Sequence, residues 1–166
     1  VGILDLTQGE LGTRGSADIR MKEASRASEI MGITLRENLG MSDAFFQNTP
    51  ENQVEIIRII RKYQPEIVFA NAVDDRHPDH GRAAKLTSDA CFYSGLLKIR
   101  TELDGKEQLR WRPKAVYHYI QDRFILPAFV VDVSEFAEKK IEAIKAFESQ
   151  FYKAGSEEPI SPISLP

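Results

Sequence analysis

Two of the three histidines in the chain lie three residues apart, in a segment that is also rich in aspartate. Residues 74–80 read Asp-Asp-Arg-His-Pro-Asp-His. Imidazole and carboxylate are the groups that bind a metal ion such as Zn²⁺ when thiolates are absent, and an imidazole that stays free can serve as acid, base or oxyanion partner. We therefore take His77, Asp79 and His80 as candidates for catalysis and metal binding. The alternative interpretation is a polar turn that caps a helix.

The position of this segment favours a functional site. It follows Glu66–Val73, a short apolar run that predicts a buried parallel strand, and Pro78 is placed to begin a helix. Ligands of open α/β sheets bind at the carboxyl ends of the strands. His118 lies between two tyrosines and is predicted to be a hydrogen-bonded strand residue. Asp74 and Asp75 could be metal ligands, although a charge pair in a loop is more often solvated, and Asp79 or an upstream carboxylate could orient the imidazole that stays free.

The rest of the chain alternates predicted strands and helices, which favours a parallel sheet. A glycine-bearing loop at residues 7–16 is long enough to predict a function of its own. Pro65 ends the second helix, and Ser134 is predicted to cap the last. The predicted strands are Val1–Leu6, Ile33–Leu39, Glu66–Val73, Lys114–Ile120 and Phe129–Val133, and the predicted helices are Ala17–Met31, Pro50–Tyr63, Pro78–Phe92 and a last one reaching Phe151.

Composition excludes several classes of partner. The chain has 166 residues, of which 42% are hydrophobic and 28% charged, with a net charge of −3. That charge gives no electrostatic basis for binding nucleic acid or anionic lipid, and the apolar runs are too short to span a membrane. The single cysteine, Cys91, cannot form an internal disulfide and fits a reducing cytoplasm. We expect a small-molecule partner.

Both ends of the sequence predict a piece of a longer protein. The chain enters a core strand at Val1 without a preceding Met, and residues 159–166 are rich in turn-forming residues. We expect one α/β domain over residues 1–166 that is truncated at both ends.

With the histidine segment placed at a strand-to-helix turn, Asp75-Arg-His-Pro-Asp-His80 resembles the second motif of the LmbE-like (PIG-L) zinc-dependent de-N-acetylases. Other segments are similar to the branch that deacetylates N-acetylglucosaminyl-malate in bacillithiol biosynthesis. The resemblance implies a Rossmann-like three-layer α/β fold with a mostly parallel sheet, and an acetylated amino-sugar conjugate as the substrate. It leads us to expect a homo-oligomer. The other similar segments are Asp5–Ser16, Ile19–Arg20, Asn38–Asp43, Trp111–Tyr117 and Glu148–Phe151.

The resemblance also implies roles for individual residues. His80 matches a zinc ligand, and His77 matches the histidine that stabilises the tetrahedral oxyanion or donates a proton, with Asp79 supporting it. In the implied reaction, Zn²⁺ binds water and the acetyl carbonyl oxygen, and an aspartate takes the proton of the water. The residues implied for the substrate pocket or the catalytic carboxylate are Arg20, Asp43 and Arg112, and Arg14 and Arg76 are further candidates because arginine binds carboxylates in a bidentate manner.

One departure from the family is clear in the sequence. The first family motif, Ala-His-Pro-Asp-Asp, supplies two zinc ligands and the general base, and it does not occur among residues 1–166. We expect it on a strand before Val1, so residues 1–166 by themselves should be inactive and the function belongs to the parent protein. The alternative is a non-catalytic Rossmann-like module whose loop Gly9–Gly15 binds a small anion. Its Gly-x-x-Gly-x-x-Gly spacing differs from the dinucleotide fingerprint.

Overall fold

The computed structural model of the chain describes residues 1–151, 157, 159–161 and 164. The described residues divide into two compact units, one formed by residues 1–43 with those of 129–166, and one by residues 44–128. The single domain expected over 1–166 stays a prediction. The elements are β1 (Gly2–Thr7), α1 (Ala17–Met31), β2 (Leu35–Met41), α2 (Pro50–Tyr63), β3 (Ile67–Ala70), α3 (Pro78–Tyr93), β4 (Glu102–Leu103), β5 (Lys106–Glu107), β6 (Ala115–His118) and α4 (Ala137–Lys145).

In the first unit, β1 pairs with β2 in parallel and α1 connects them. The pairing aligns Ile3 with Arg36, and the Arg36 guanidinium forms a salt bridge with Asp5 at 2.6 Å. Helix α1 has the predicted bounds because both ends carry caps. The Ser16 hydroxyl accepts the Ile19 N–H at its start, and Gly32 ends it in the left-handed conformation that a residue without Cβ adopts readily.

The end of this unit differs from prediction. Residues Phe129–Val133 form no strand, and Val130 and Val131 are largely exposed. A strand requires a hydrogen-bonding neighbour as well as β-branched residues, so composition alone led to a wrong prediction. The predicted helix cap at Ser134 is also wrong. The Asp132 carboxylate accepts the Ser134 N–H at 2.9 Å, and a single 3₁₀ turn follows. Helix α4 then ends at Lys145, short of Phe151.

In the second unit, β3 pairs with β6 in parallel, with Ala70 opposite His118. Helix α2 begins as predicted, since the Thr49 hydroxyl accepts the Asn52 N–H and Pro50 is the first helical residue. Parallel pairing of β1 with β2 and of β3 with β6 confirms the predicted mostly parallel α/β class. The side chains buried most completely in this unit include Ile56, Ile57 and Leu86.

A buried arginine of α2 holds the segment that follows α3. The Arg61 guanidinium donates to the carbonyls of Ser94, Leu96 and Ile99 and to the Thr101 hydroxyl, at 2.8–3.0 Å. Burial lowers the Arg61 pKa, and Glu107 partly opposes this effect. The Ser94 carbonyl at the end of α3 has no intrahelical donor, and Leu96 and Ile99 lie in the segment beyond the helix, so the guanidinium supplies donors to all three carbonyls.

The polar region between α3 and β6 contains one antiparallel hairpin. Strands β4 and β5 flank Asp104 and Gly105, which both have positive φ, as a two-residue type I′ hairpin turn requires. Among the described helices, none is long and apolar enough to cross a membrane.

Candidate active site

His77 caps helix α3 at the end of the loop that follows β3. Its backbone is extended, Pro78 is the first helical residue, and Nδ1 of the ring accepts the Asp79 N–H at 3.3 Å. A side-chain acceptor here satisfies one of the N–H groups that a helix start leaves without a partner. Because Nδ1 accepts, the neutral His77 ring carries its proton on Nε2, which is therefore a hydrogen-bond donor.

The Asp75 carboxylate belongs to this same loop, and its side chain is only 1% exposed. Oδ1 accepts the His77 N–H at 3.0 Å and lies 2.9 Å from Nδ1 of His80, and Oδ2 accepts the Asp122 N–H at 3.2 Å. The bond from the His77 N–H is the largest cause that lowers the Asp75 pKa to about 2, while burial opposes the shift. Asp75 is therefore ionised at neutral pH and acts only as an acceptor.

The contact with Asp75 determines which nitrogen of His80 is available. An ionised carboxylate cannot donate, so the proton in this contact belongs to Nδ1 of His80, and Nε2 of the neutral ring keeps its lone pair. The His80 side chain is 33% exposed, and its ring stacks on that of His77 with centroids 5.1 Å apart and planes at 28°. The stacked rings thus carry unlike Nε2 atoms, a donor on His77 and an acceptor on His80.

Asp79 is buried in the first turn of α3. Its carboxylate accepts from Arg82 at 2.6 Å and from the Ala44 N–H at 2.9 Å. The support that Asp79 gives to His77 in the structure comes from its backbone N–H. A catalytic role for the Asp79 carboxylate stays a prediction.

Arg76 lies in the same loop, and its side chain is more than half exposed. The guanidinium is 3.7 Å from the Asp122 carboxylate, and Asp74 pairs with Arg123 at 2.9 Å. The two ion pairs and the Asp122 N–H bond to Asp75 connect the histidine loop to the segment after β6. Arg76 is thus beside His77 in the chain, with a head group that solvent reaches.

Arg112 lies apart from the histidine loop. Its guanidinium stacks on Phe92 at 4.2 Å from the ring centroid, and Gly95 leaves room for it, since a Cβ there would lie 2.5 Å from Nε. Phe92 is fifteen residues beyond His77, which corresponds to about 20 Å along an α-helix. The structure therefore does not bring Arg112 together with the two histidines, and its approach to a catalytic carboxylate stays a prediction.

In the first unit, Arg20 lies against the glycine-bearing loop. A Cβ at Gly9 or Gly12 would overlap the Arg20 guanidinium, so both positions require glycine for this approach. Arg20 donates to the Gln150 side chain, and within the described part of the chain its buried Nε has no hydrogen-bond partner. A cavity of about 510 Å³ opens beside Arg20, lined by β1, α1 and β2.

Asp43 and Arg14, the other candidates of this unit, hold the same loop. The Asp43 carboxylate accepts the Leu11 N–H at 3.1 Å and the Thr7 hydroxyl at 3.4 Å. Arg14 is buried, and its carbonyl accepts from Gln150 at 3.0 Å. Both residues therefore contribute to the shape of the loop, and their contact with a substrate stays a prediction.

His118 is a structural residue, as predicted. Its Nδ1 donates to the Asn71 carbonyl at 2.7 Å, and its Nε2 lies 3.0 Å from the Ser88 hydroxyl. With both ring nitrogens engaged, His118 joins β6 to α3 and has none available for a ligand.

The donor set is consistent with one metal ligand. His80 presents a free Nε2 lone pair beside an ionised carboxylate, which is the arrangement found around metal-binding histidines. Among the described residues, no group of three or more His, Cys, Asp or Glu is placed to hold a metal ion. The described residues therefore offer one ligand and do not complete a three-ligand centre.

Sequence reasoning weighed Asp75 as a possible metal ligand and favoured a solvated loop charge, which is wrong because the side chain is 1% exposed and accepts the His77 N–H. A signal was present, because an aspartate that accepts the N–H two residues ahead forms an Asx turn, and Asp-x-His before Pro fits that pattern. Gln150 was missed as the partner of Arg20, since 130 residues separate them and no periodic pattern connects them.

Comparison with known proteins gives matches over most of the chain. A diacetylchitobiose deacetylase from Thermococcus kodakarensis is 30% identical over 154 residues, which cover 90% of this chain and 56% of that protein. The conserved protein TT1542 from Thermus thermophilus has a TM-score of 0.83 at 36% identity, covering 90% of this chain and 66% of that one. The N,N'-diacetylchitobiose deacetylase from Pyrococcus horikoshii has a TM-score of 0.76 at 25% identity, covering 90% and 59%.

These matches confirm the predicted Rossmann-like α/β class. The chain spans about three fifths of the length of these relatives. The family model for GlcNAc-PI de-N-acetylase (PIG-L) matches residues 1–91, which include the histidine loop and most of α3. More than half of the 166 residues are thus matched. The chain therefore belongs to the PIG-L de-N-acetylase family.

Proposed function

We propose that the parent protein is a hydrolase that removes the N-acetyl group from a GlcNAc-type sugar. The observation that carries the proposal is the stacked pair His77 and His80, which offers a donor and an acceptor Nε2 side by side after β3. Hydrolysis of an amide by a metal enzyme uses such unlike groups, because a donor offsets the negative charge that the carbonyl oxygen gains, while a lone pair can hold the metal ion that activates the attacking water. The relatives named as deacetylases support the same reaction.

His80 is the residue that would hold Zn²⁺, through its free Nε2. Zinc, when bound, acts as a Lewis acid and lowers the pKa of the attacking water. His80 is one of the protein ligands, and the described residues do not supply a complete set of three. No serine or cysteine nucleophile is required, in agreement with the burial of the single cysteine.

His77 offsets the charge that develops on the acetyl carbonyl oxygen. Its Nε2–H donates toward that oxygen, and its place at the start of α3 adds the positive end of the helix dipole. A preorganised donor of this kind contributes about 3 to 4 kcal/mol to transition-state stabilisation. Because Nδ1 is bonded to the Asp79 N–H, the ring does not need to reorient during the reaction.

The substrate that we propose is an acidic conjugate, N-acetylglucosaminyl-malate. The exposed guanidinium of Arg76 lies in the histidine loop directly before His77, and arginine binds carboxylates in a bidentate manner. A neutral disaccharide such as diacetylchitobiose, named for two relatives, is the competing substrate. The kcat/KM of the full-length protein on both compounds separates the two. We expect the acidic conjugate to be preferred at least tenfold, and preference for the disaccharide would overturn this choice.

The alternative function is a non-catalytic anion-binding module, favoured by the position of Arg20 over Gly9 and Gly12. Metal content of the full-length protein decides between the two. About one equivalent of zinc, with release of acetate from an N-acetylglucosamine conjugate, supports the hydrolase. Purified protein that neither binds added zinc nor releases acetate would favour the module.

A further inference from the structure

One carboxylate joins three parts of the second unit at the proposed site. Asp75 accepts the His77 N–H where α3 begins, contacts the His80 ring one turn later, and accepts the Asp122 N–H from the segment after β6. The last two partners are 5 and 47 residues away in sequence. Such a convergence on a side chain that is 1% exposed is unlike a solvated loop charge.

The three contacts restrict the carboxylate itself. Oδ1 is bonded to the His77 N–H and Oδ2 to the Asp122 N–H, so rotation about the side-chain bond would break both backbone contacts. The oxygen facing His80 is therefore fixed by main-chain donors that do not depend on the histidine. The neighbouring pair of Asp74 with Arg123 at 2.9 Å is more than half exposed and is not needed to fix this carboxylate.

A fixed acceptor selects one form of the imidazole. If His80 carried its proton on Nε2, the lone pair of Nδ1 would face the negatively charged oxygen at 2.9 Å, which is repulsive. Stacking on His77 at 5.1 Å limits the remaining freedom of the ring plane. The result is a ring whose Nε2 lone pair is available in a defined direction.

We propose that Asp75 is a positioning residue, which acts through His80 by holding its proton on Nδ1 and its Nε2 lone pair free for the metal ion. The expected effect of Asp75 on zinc affinity rests on the proposed function. The position of the proton on the His80 ring rests on the geometry alone. Residues that orient a metal-binding histidine typically change metal affinity by about 10- to 100-fold when they are removed.

The test has two readouts on the full-length protein, with Zn²⁺ as the probe. Long-range proton–nitrogen NMR correlations of the metal-free protein show which nitrogen of His80 carries the proton at neutral or mildly alkaline pH. Zinc affinity is then measured by competition with a chelator for Asp75→Ala, Asp75→Asn and the control Asp74→Ala. The control removes one loop carboxylate of equal charge, whose bond goes to Arg123 and not to His80.

We expect the proton on Nδ1 in the unmodified protein and a shift toward Nε2 in Asp75→Ala. Zinc affinity should fall about 10- to 100-fold in Asp75→Ala. Asp75→Asn should recover part of it, because its amide oxygen can still accept from His77 and His80. Asp74→Ala should bind zinc as the unmodified protein does.

A proton on Nε2 in the unmodified protein overturns the inference, as does undiminished zinc affinity in a folded Asp75→Ala protein. If Asp75→Ala does not fold, the NMR measurement on the unmodified protein and the zinc affinity of Asp75→Asn still test whether Asp75 positions His80. Absence of zinc binding by the unmodified protein would instead overturn the proposed function. The NMR measurement of the proton position on His80 uses metal-free protein, so it would still test the role of Asp75.

Discussion

The His77 and His80 rings stack 5.1 Å apart, yet their outer nitrogens have opposite hydrogen-bonding character. Nδ1 of His77 accepts a backbone N–H, whereas Nδ1 of His80 faces a carboxylate. The two histidines therefore differ in chemistry although they lie three residues apart, and substitution of each should have a different effect.

Replacement of His80 by alanine should abolish both zinc retention and deacetylation in the full-length protein, because the proposed function makes its imidazole one of the protein ligands. Metal analysis after gel filtration and an acetate-release assay measure the two effects. The matched control is His118→Gln, which should retain zinc because both nitrogens of His118 have protein partners. A full equivalent of zinc in His80→Ala would contradict the ligand assignment.

Replacement of His77 by asparagine should keep zinc and leave KM nearly unchanged while kcat falls by about 100-fold or more, since an oxyanion partner acts mainly in the transition state. Asparagine is chosen because it caps helices well, so the helix start is preserved while the imidazole is removed. Steady-state kinetics and metal analysis check this. Loss of metal from the variant would show that the two roles are not separate.

Replacement of Arg20 by alanine should raise KM for an acidic N-acetylglucosamine conjugate more than for N-acetylglucosamine itself, because the guanidinium would meet the acidic group. The control is Arg26→Ala on the same helix, whose side chain is 65% exposed and pairs with Glu148. It should leave both KM values unchanged. Equal increases for the two substrates in Arg20→Ala would remove Arg20 from recognition of the acidic group.

Replacement of Arg61 by alanine should lower the free energy of unfolding by about 3 kcal/mol, because three carbonyls and the Thr101 hydroxyl lose a buried charged donor. Chemical denaturation of the full-length protein measures the change. Arg58→Ala, on the same helix, removes a partly exposed pair with Glu55 and should change stability by less than about 0.5 kcal/mol. Similar losses in the two variants would argue against the role of Arg61.

Cys91 gives a prediction for alkaline pH. Burial raises the pKa of its thiol from the ordinary 9.0 to about 11. The unfolded thiol ionises at lower pH than the folded one, so this residue's contribution to stability is present below pH 9 and is lost as pH rises toward 11. The native protein should react slowly with thiol reagents at about pH 8, and the pH dependence of stability should be weaker in Cys91→Ala over this range. Rapid labelling of the folded protein would contradict the burial.

Local signals were sufficient for helices α1, α2 and α3, and insufficient for α4 and for the bounds of the strands. The bounds of α1 and α2 were predicted correctly because Gly32, Thr49 and Pro50 act within a few residues of their position. Strand β2 lies two residues later than expected, and Phe129–Val133 is not a strand, because pairing depends on a neighbour distant in sequence.

The same distinction applies to the candidate site. The placement of His77 before Pro78, and of His80 in the first turn of α3, followed from helix-start chemistry. The bond from Asp122 to Asp75 and the stacking of Arg112 on Phe92 connect residues 47 and 20 positions apart. Nothing in the local pattern predicts such contacts, because they depend on how distant segments pack.

The double use of His77 constrains how this family can change over evolutionary time. The ring stabilises the start of α3 through Nδ1 and, in the proposed mechanism, donates to the substrate through Nε2, so a single substitution to an aliphatic residue removes both at once. A lineage that abandons the reaction can keep the fold most readily by passing through Asn, Ser or Asp at position 77, since these residues also cap helices. Descendants without the imidazole should therefore be enriched in those three residues, because selection for a stable helix start continues after selection for activity has ended.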